Sequence, residues 1–340
     1  MNSTMPAAGF VLDARVFDMD ADAVMERICR RLRESLAREL SRRGLVVAMS
    51  GGIDSSVCAA LCVRAVGPGR VYGLLLPERD SSGESVSRGR LLAQHLGIAW
   101  ELFDIAPALE ALGCYRSRDE AIRRAFPGYG AGWKSKIVIR GGLEGRFNRF
   151  FLVVQTPDGQ LSERRLELAE YLQIVAATNY KQRMRKTIEY FHADRLNYAV
   201  VGTPNRLEYD QGFFVKNGDG SADVKPIAHL YKTQVYALAR HLRLPAEICS
   251  ATPTTDTYSL AQGQDEFYFA LPYRDMDLAL WAHNHGLAPQ ELAAALGIEE
   301  AQAAAVYRDI ENKRRATRYL HAGPVLVEPI TELSCSVLIR

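Results

Sequence analysis

Residues 45–66 read Leu-Val-Val-Ala-Met, then Ser50-Gly51-Gly52-Ile53-Asp54-Ser55-Ser56, then Val-Cys-Ala-Ala-Leu-Cys-Val-Arg-Ala-Val, and no other stretch constrains the fold so tightly. A short unbroken apolar run that meets glycines and then a helical pattern is a buried parallel strand turning directly into a helix. The first turn of such a helix has backbone N–H groups without internal partners, and the macrodipole adds partial positive charge, so an anion is favoured there. Gly51 and Gly52 allow a phosphate close to the backbone, and Ser50, Ser55 and Ser56 add hydroxyl donors. Asp54 suits an anion site only beside a cation, such as a Mg²⁺ bridging the carboxylate and phosphates. Taken alone, Ser-Gly-Gly is equally a tight turn with Asp54 capping the helix.

The flanking sequence extends the pattern. Val24, Ile28, Leu32, Leu36 and Leu40 recur every four residues from Ala21 to Arg42, which predicts an amphipathic helix ending near Gly44. After Gly67-Pro68-Gly69, the run VYGLLLP predicts a strand, Glu84 to Leu96 a helix and AWELFDI a third strand. LNYAVVGT predicts a further buried strand and TQVYALARHL, after Lys232, another helix. Strands alternating with helices predict an α/β fold, a doubly wound, mostly parallel sheet with helices on both faces. Residues 114–170 break the alternation with Gly128, Gly130, Gly132, Gly141 and Gly142 and a Pro157-Asp158-Gly159 turn, which predicts an insertion containing a β-hairpin. Residues 278–340 are rich in helix formers and are expected to be a helical C-terminal extension. With 340 residues and 48% hydrophobic content, the expectation is a single large domain, 1–340, carrying that insertion.

Charge and cysteine usage exclude several classes. Lys and Arg number 42 against 40 Asp and Glu, so no global field points to nucleic acid or an anionic membrane. Six cysteines lack paired spacing, and Cys58 and Cys62 stand at helical spacing in an apolar run, so buried reduced thiols are expected and no transition metal. There is no cationic start leading into an apolar stretch and no run approaching the roughly 20 apolar residues that span a bilayer. A cytoplasmic protein is expected. The chain has no Gly-Lys dipeptide, so no Walker-type loop, and no GxGxxG follows a strand.

SGGIDSS resembles the pyrophosphate loop of the ATP-pyrophosphatase superfamily, whose members split ATP between the α and β phosphates and adenylylate a substrate. Downstream residues are similar to one branch, the NAD synthetases: Gly202 to Glu208 (GTPNRLE), Gly212 to Asp223, Pro226 to Gln234, Pro253-Thr254-Thr255-Asp256, and Gln264-Asp265-Glu266 with Tyr273 and Asp277. Asn179 to Arg185 looks like the NxKxRxR stretch that precedes this block. The resemblance runs over about 24–42, 46–105 and 176–277, omits the insertion and fades beyond Trp281. A nitrilase-like glutaminase domain is not seen, so the ammonia-using form is the one resembled, with free ammonia or a separate glutaminase as nitrogen source.

The resemblance implies roles for individual residues. Ser50, Gly51, Gly52, Asp54, Ser55, Ser56, Leu76, Thr203, Lys232 and Thr254 would bind ATP, and Asp54 and Glu208 would ligate Mg²⁺. Lys216, Asp219 and Asp223 would surround the reacting acyl group, with Lys232, Lys216 and Asp219 catalytic. Cationic side chains suit a transition state that gathers charge on α-phosphate oxygens, and a carboxylate at 219 could hold ammonia and take its proton. Lys181, Arg185, Lys216 and Asp223 would bind the acyl substrate. Lys181 and Arg185 stand at i and i+4 and could equally pair with carboxylates of another helix or subunit. The implied reaction adenylylates the nicotinate carboxylate of deamido-NAD and passes it to ammonia, in a homodimer. The insertion, with Tyr129, Trp133 and Lys134, keeps open amidation of a different carboxylate in a dedicated pathway. A non-catalytic nucleotide-binding paralogue is the reading from another class.

Overall fold

The computed structural model describes residues 10–140, 149–251, 258–260, 268 and 271–329. Strands β1 (Leu45–Ala48), β2 (Val71–Leu75), β3 (Ala99–Leu102) and, later in the chain, β7 (Ala199–Val201) form a parallel sheet in the order β3-β2-β1-β7. Register is set by Leu45 opposite both Val71 and Ala199, and by Tyr72 opposite Ala99. The predicted strands are all present, each shorter than its apolar run.

Helices α1 (Ala21–Glu34), α2 (Ile53–Val66) and α3 (Gly83–Leu96) alternate with the first strands. The helix predicted to reach Arg42 continues past α1 as a wider turn over Ser35–Leu40 and stops at Ser41, whose φ is +51°. Then come α4 (Ala106–Ala111), α5 (Cys114–Ala125) and, after the insertion, the long α6 (Leu168–Leu196). Side-chain alternation explains the two layers. Leu45, Val47, Ala199 and Val201 face α1, α2 and α8 (Lys232–His241), while Val46, Leu74 and Val200 face the other way onto Leu109, Tyr115 and Ala193 of α4, α5 and α6. Cys29, Cys58, Cys62 and Cys114 are buried free thiols, and burial pushes the thiols of Cys58 and Cys62 up, so they are packing groups.

The interior segment that breaks the alternation folds as a second sheet. β4 (Lys134–Arg140), β5 (Arg149–Gln155) and β6 (Leu161–Arg165) pair antiparallel, with β5 and β6 joined across Pro157-Asp158-Gly159. Its inner face places Ile137, Leu152 and Val154 against Ala121 and Ile122 of α5 and Ile174 of α6. The sheet is thus a three-stranded meander seated on two helices, one strand more than the predicted hairpin.

Beyond β7 lie α7 (Arg206–Gln211), α8, α9 (Ala246–Cys249), α10 (Tyr273–Asn284), α11 (Pro289–Leu296) and α12 (Glu300–His321). The last three pack on Leu12, Phe17 and Leu207 through Met276, Leu280, Leu292, Val306 and Ile310, tying the C-terminal helices to the N-terminal segment. Among the described residues, no helix is long and apolar enough to cross a membrane.

Candidate functional site

β1 and β7 are neighbours, yet the chain leaves β1 for β2 on its other side. This reversal opens a crevice at the carboxyl edge between them, where open α/β sheets bind ligands. Ser50-Gly51-Gly52 lies at that edge and α2 begins at Ile53. Gly51 has φ +76°, and a Cβ there would stand 2.6 Å from the Ser85 carbonyl oxygen and 3.0 Å from Arg88 Cβ. Only glycine fits on both counts. Gly51→Ala should cost about 1–2 kcal/mol from the left-handed backbone alone, read as a lowered denaturant midpoint. An unchanged midpoint would mean that the loop conformation is not fixed as seen.

The hydroxyls around the loop are organised by its own carbonyl. Ser55 and Ser56 donate to the Gly52 oxygen at 3.1 and 2.8 Å, and Ser50 Oγ lies 3.1 Å from Ser55 Oγ. Ser50, Gly51, Gly52, Asp54 and Ser55 line a cavity of about 1120 Å³, together with Leu76, Thr203, Glu208, Lys232, Arg185, Lys216 and Asp219. Most residues named from the sequence therefore converge on one volume.

Its centre is an ion-pair knot. Lys232, buried at the start of α8, places Nζ against Asp54 Oδ2, and Asn205 Nδ2 donates to Asp54 Oδ1 at 3.1 Å. Asn205 also caps α7, accepting from Glu208 N–H at 3.1 Å while Glu208 Oε2 accepts from Asn205 N–H at 3.2 Å. That reciprocal box is written in the sequence as Asn-Arg-Leu-Glu. It orients Glu208 toward the same centre. Burial alone would lower the Lys232 pKa, but the carboxylates of Asp54 and Glu208 outweigh it and hold the ammonium charged.

Lys232 is held from behind by Asp277 of α10. This fully buried carboxylate accepts from Lys232 N–H at 3.3 Å, Thr233 N–H at 2.7 Å and Thr233 Oγ1 at 2.8 Å, satisfying donors of the first turn of α8. Burial pushes its pKa up to about 6, against those hydrogen bonds and the Lys232 charge. The folded state therefore binds this proton more tightly than the unfolded chain, and the cost of the charged form is relieved as pH falls through about 6 toward 4. The stability difference between wild type and Asp277→Asn should accordingly shift in favour of wild type between pH 7 and pH 5, measured by urea unfolding at each pH. A pH-independent difference would place the Asp277 pKa in the ordinary carboxylate range.

A second polar group sits where α6 meets the loop after α7. Lys186 and Glu189, both buried, pair at 2.7 Å and line the cavity beside Asp219, whose Oδ1 accepts from Val215 N–H at 2.7 Å. Burial pushes the carboxyls of Glu189 and Asp219 up, while Lys186 pulls both down. Arg185 donates from Nε to the Leu76 carbonyl at 3.1 Å, so two residues named separately from the sequence touch. Lys216 Nζ donates to the Tyr319 and Ala322 carbonyls at 2.7 and 2.9 Å, which fastens the end of α12 over the cavity.

Three named residues do not line the cavity. The family resemblance implies a substrate ligand at Lys181; the side chain is instead buried in an ion cluster, 3.0 Å from Glu78 Oε1 and 2.7 Å from Asp80 Oδ2, with Arg118 2.6 Å from Asp80 and the Tyr115 hydroxyl 2.8 Å from Glu78. The pairing with carboxylates, left open by the i, i+4 spacing, is the one formed. Asp223 is exposed, and its Oδ2 accepts from Val200 N–H at 2.7 Å, which ties its loop to β7. Ser56 is fully buried behind the loop. Thr254 lies outside the described residues, as do Asp256 and Gln264 to Glu266.

The cavity also has walls that motif reading missed. Tyr171, Val175, Thr178, Gln182, Lys186 and Glu189 form one helical stripe of α6, and Asn312, Lys313, Ala316 and Thr317 form another on α12. The 3.6-residue spacing was readable, but a polar stripe is indistinguishable from a solvated face until a partner surface is known. Among the described residues no group of three or more His, Cys, Asp or Glu could hold a metal.

Comparison with known proteins agrees with this arrangement. The chain is 59% identical over 315 residues to the NH(3)-dependent NAD(+) synthetase of Mesorhizobium japonicum, covering 92% of this chain and 99% of that one. It is 57% identical over 324 residues to the protein of the same name from Rhizobium meliloti, covering 95% and 97%. In fold it resembles the NMN synthetase of Francisella tularensis, with a TM-score of 0.63 at 21% identity, over 91% of this chain and 99% of that chain. The family profile continues unbroken to residue 319, so the resemblance does not fade after Trp281 but takes in α10 to α12. Its interior gap, 126–154, is narrower than the 114–170 read from the sequence and leaves α5 inside the family pattern. With residues 24–125 and 155–319 matching the family described as NAD synthase, the chain belongs to the NAD synthase family.

Proposed function

We propose that this chain is an ATP-dependent, ammonia-using ligase that amidates the nicotinate carboxylate of deamido-NAD, giving NAD, AMP and pyrophosphate. The observation that carries this reading is the meeting of Asp54, Glu208 and Lys232 with the Ser50–Gly52 loop at the carboxyl edge of β1, in a chain of this family. A phosphate seated on the loop meets the N-terminal N–H groups of α2, with Ser50 and Ser55 beside it. Lys232 then sits where charge builds on the α-phosphate as the substrate carboxylate attacks and pyrophosphate leaves. Its position is set before the reaction by Asp277, so little reorganisation is needed.

Two carboxylates at a phosphate site are the donor set Mg²⁺ takes, since that ion commonly uses one or two carboxylates with phosphate oxygens. Asp54 and Glu208 would hold it, and bound there it would neutralise phosphate charge. Leu76 borders the nucleotide at the end of β2, with Thr203 at the end of β7, and Arg185 and Lys216 face the acyl substrate. In the second step ammonia attacks the acyl carbon of the mixed anhydride and AMP departs. Asp219 takes the proton released from nitrogen, and its burial, which raises its proton affinity, suits it as the base. Asp223, exposed beside the same loop, is kept as a ligand of the acyl substrate, while Lys181 and Ser56 are assigned structural roles. A homodimer is part of this reading.

The decisive experiment is mass spectrometry of products from ATP, ammonium and deamido-NAD, with glutamine as the comparison nitrogen source. NAD and AMP in equal amounts with ammonium are expected. No NAD, with ATP–pyrophosphate exchange driven by a different acid, would overturn the assignment of substrate.

A further inference from the structure

Helix α3 meets the phosphate loop where two side chains are missing. A Cβ on Gly89 of α3 would stand 2.3 Å from Leu75 Cδ2 and 3.3 Å from the Met49 carbonyl oxygen, and a Cβ on Gly51 would stand 2.6 Å from the Ser85 carbonyl oxygen. Glycine at both places lets the first two turns of α3 close directly onto the end of β1 and the loop that follows. Arg88, next to Gly89, therefore reaches the loop from the β2 side. Its Nε donates to the Gly51 carbonyl at 3.2 Å, and the side chain lines the cavity with Ser50, Gly52, Ser81 and Ser85.

The rest of the guanidinium is lightly committed. Nη1 donates to Glu84 Oε2 at 3.0 Å, an i, i+4 pair in which the Glu84 side chain is 82% exposed and that of Arg88 20%. Exposed pairs of this kind contribute little, because water and salt screen them. Glu84 also lies in the first turn of α3, where the macrodipole favours a carboxylate with or without a partner. Nη2 makes no hydrogen bond among the described residues. Nε is thus anchored on the loop, while the other two nitrogens are available to an anion in the cavity.

The charges around the loop call for such a cation. Lys232 is one ammonium set against the carboxylates of Asp54 and Glu208, so that knot carries no positive excess. β2 and β7 flank β1 on opposite sides, and Arg88 follows β2 whereas Lys232 follows β7. A polyphosphate on the loop would lie between the two. The planar guanidinium fits two phosphate oxygens at once, where an ammonium acts as a point charge.

We propose that Arg88 is a phosphate-binding residue of the adenylylation step and holds the part of ATP that leaves as pyrophosphate. This rests on the ATP-dependent reaction proposed above. As the acceptor carboxylate oxygen bonds to the α-phosphorus, the bond from that phosphorus to the bridging oxygen breaks and its electron pair passes to pyrophosphate. Arg88 meets the growing charge with Nη1 and Nη2, giving up Glu84, while Nε stays on the Gly51 carbonyl. Glu84 is the exchangeable counter-ion of Arg88, and the leaving group takes its place.

The test is calorimetric titration of wild type, Arg88→Gln, Arg88→Lys and Glu84→Gln with pyrophosphate in magnesium buffer and, separately, with AMP, alongside melting curves. Arg88→Gln keeps an N–H for the Gly51 carbonyl but loses the charge, so its Kd for pyrophosphate should rise about tenfold or more, with the Kd for AMP held within about threefold. Arg88→Lys should recover part of the lost affinity. Glu84→Gln should bind pyrophosphate at least as tightly as wild type. Arg88→Gln with a pyrophosphate Kd within about threefold of wild type would overturn the proposal. So would Arg88→Lys as weak as Arg88→Gln, or equal losses for pyrophosphate and AMP, since either marks a residue that only shapes the loop. Weaker pyrophosphate binding by Glu84→Gln would overturn the exchange of counter-ions. Should Arg88→Gln fail to fold, Arg88→Lys and Glu84→Gln still decide. Wild-type protein that releases no pyrophosphate from ATP in the product assay would fail the functional reading instead, which separates the two outcomes.

Discussion

Replacing Lys232 with methionine should lower kcat for amide formation by about 10²–10³-fold, the usual cost of removing one preorganised charged donor from a developing anion. The substitution keeps the length and apolar stem of the side chain, so α8 retains its capping by Asp277. What is lost is the ammonium that Asp54 and Glu208 hold charged in a buried place. The unpaired Asp54 also carries a stability cost, of about 3 kcal/mol by analogy with broken buried pairs. Activity is therefore to be measured well below the melting transition, at saturating ATP and acceptor. A kcat within threefold of wild type would remove Lys232 from the chemical step and leave it a partner of Asp54 only.

Lys181→Met should act in the opposite way, lowering stability by about 3–5 kcal/mol with KM for the acceptor changed by no more than about threefold. The Lys181 ammonium neutralises Glu78 and Asp80, both nearly excluded from water, in a cluster shared with Arg118 and Tyr115. Removing it leaves two carboxylates with less compensation than their burial demands. The segment it anchors runs from Pro77 to Ser81, where Ser81 Oγ accepts from Glu78 N–H at 3.1 Å, closing a turn whose ends, Pro77 and Ser81, border the cavity. Urea unfolding and acceptor kinetics decide the matter. A substrate ligand would show a large rise in KM and an almost unchanged midpoint, and that pattern would restore the role first suggested by the family stretch around Asn179.

The parallel sheet and the phosphate loop were legible because their signals are local. LVVAM can be buried on both faces only inside a sheet, and the glycines that follow permit a left-handed turn at Gly51 that other residues resist. The capping box Asn205–Glu208 is also local, which is why Glu208 could be matched to a site from sequence similarity alone. Asp219, Thr203 and Lys232 were likewise identified, and the cavity gathers them. The meander of β4, β5 and β6 was half legible. Its second turn is marked by Pro157-Asp158-Gly159, whereas the pairing of β4 depends on which apolar face α5 and α6 leave open.

What sequence determined, then, is whatever a strand, a turn or one helix end dictates by itself: the α/β alternation, the anion-binding loop and the carboxylates beside it. The tertiary structure decided which charged residues face the ligand and which face each other. Lys181 and Lys186 lie five residues apart on one helix, yet the first closes a buried ion cluster and the second lines the cavity. Periodicity places both on α6 but does not say what packs against each side. The same holds for Ile139 and Phe150, which join the cavity wall only when a separate sheet docks on that helix. Partner surfaces are long-range facts, and burial energies that depend on them are fixed by the assembled fold.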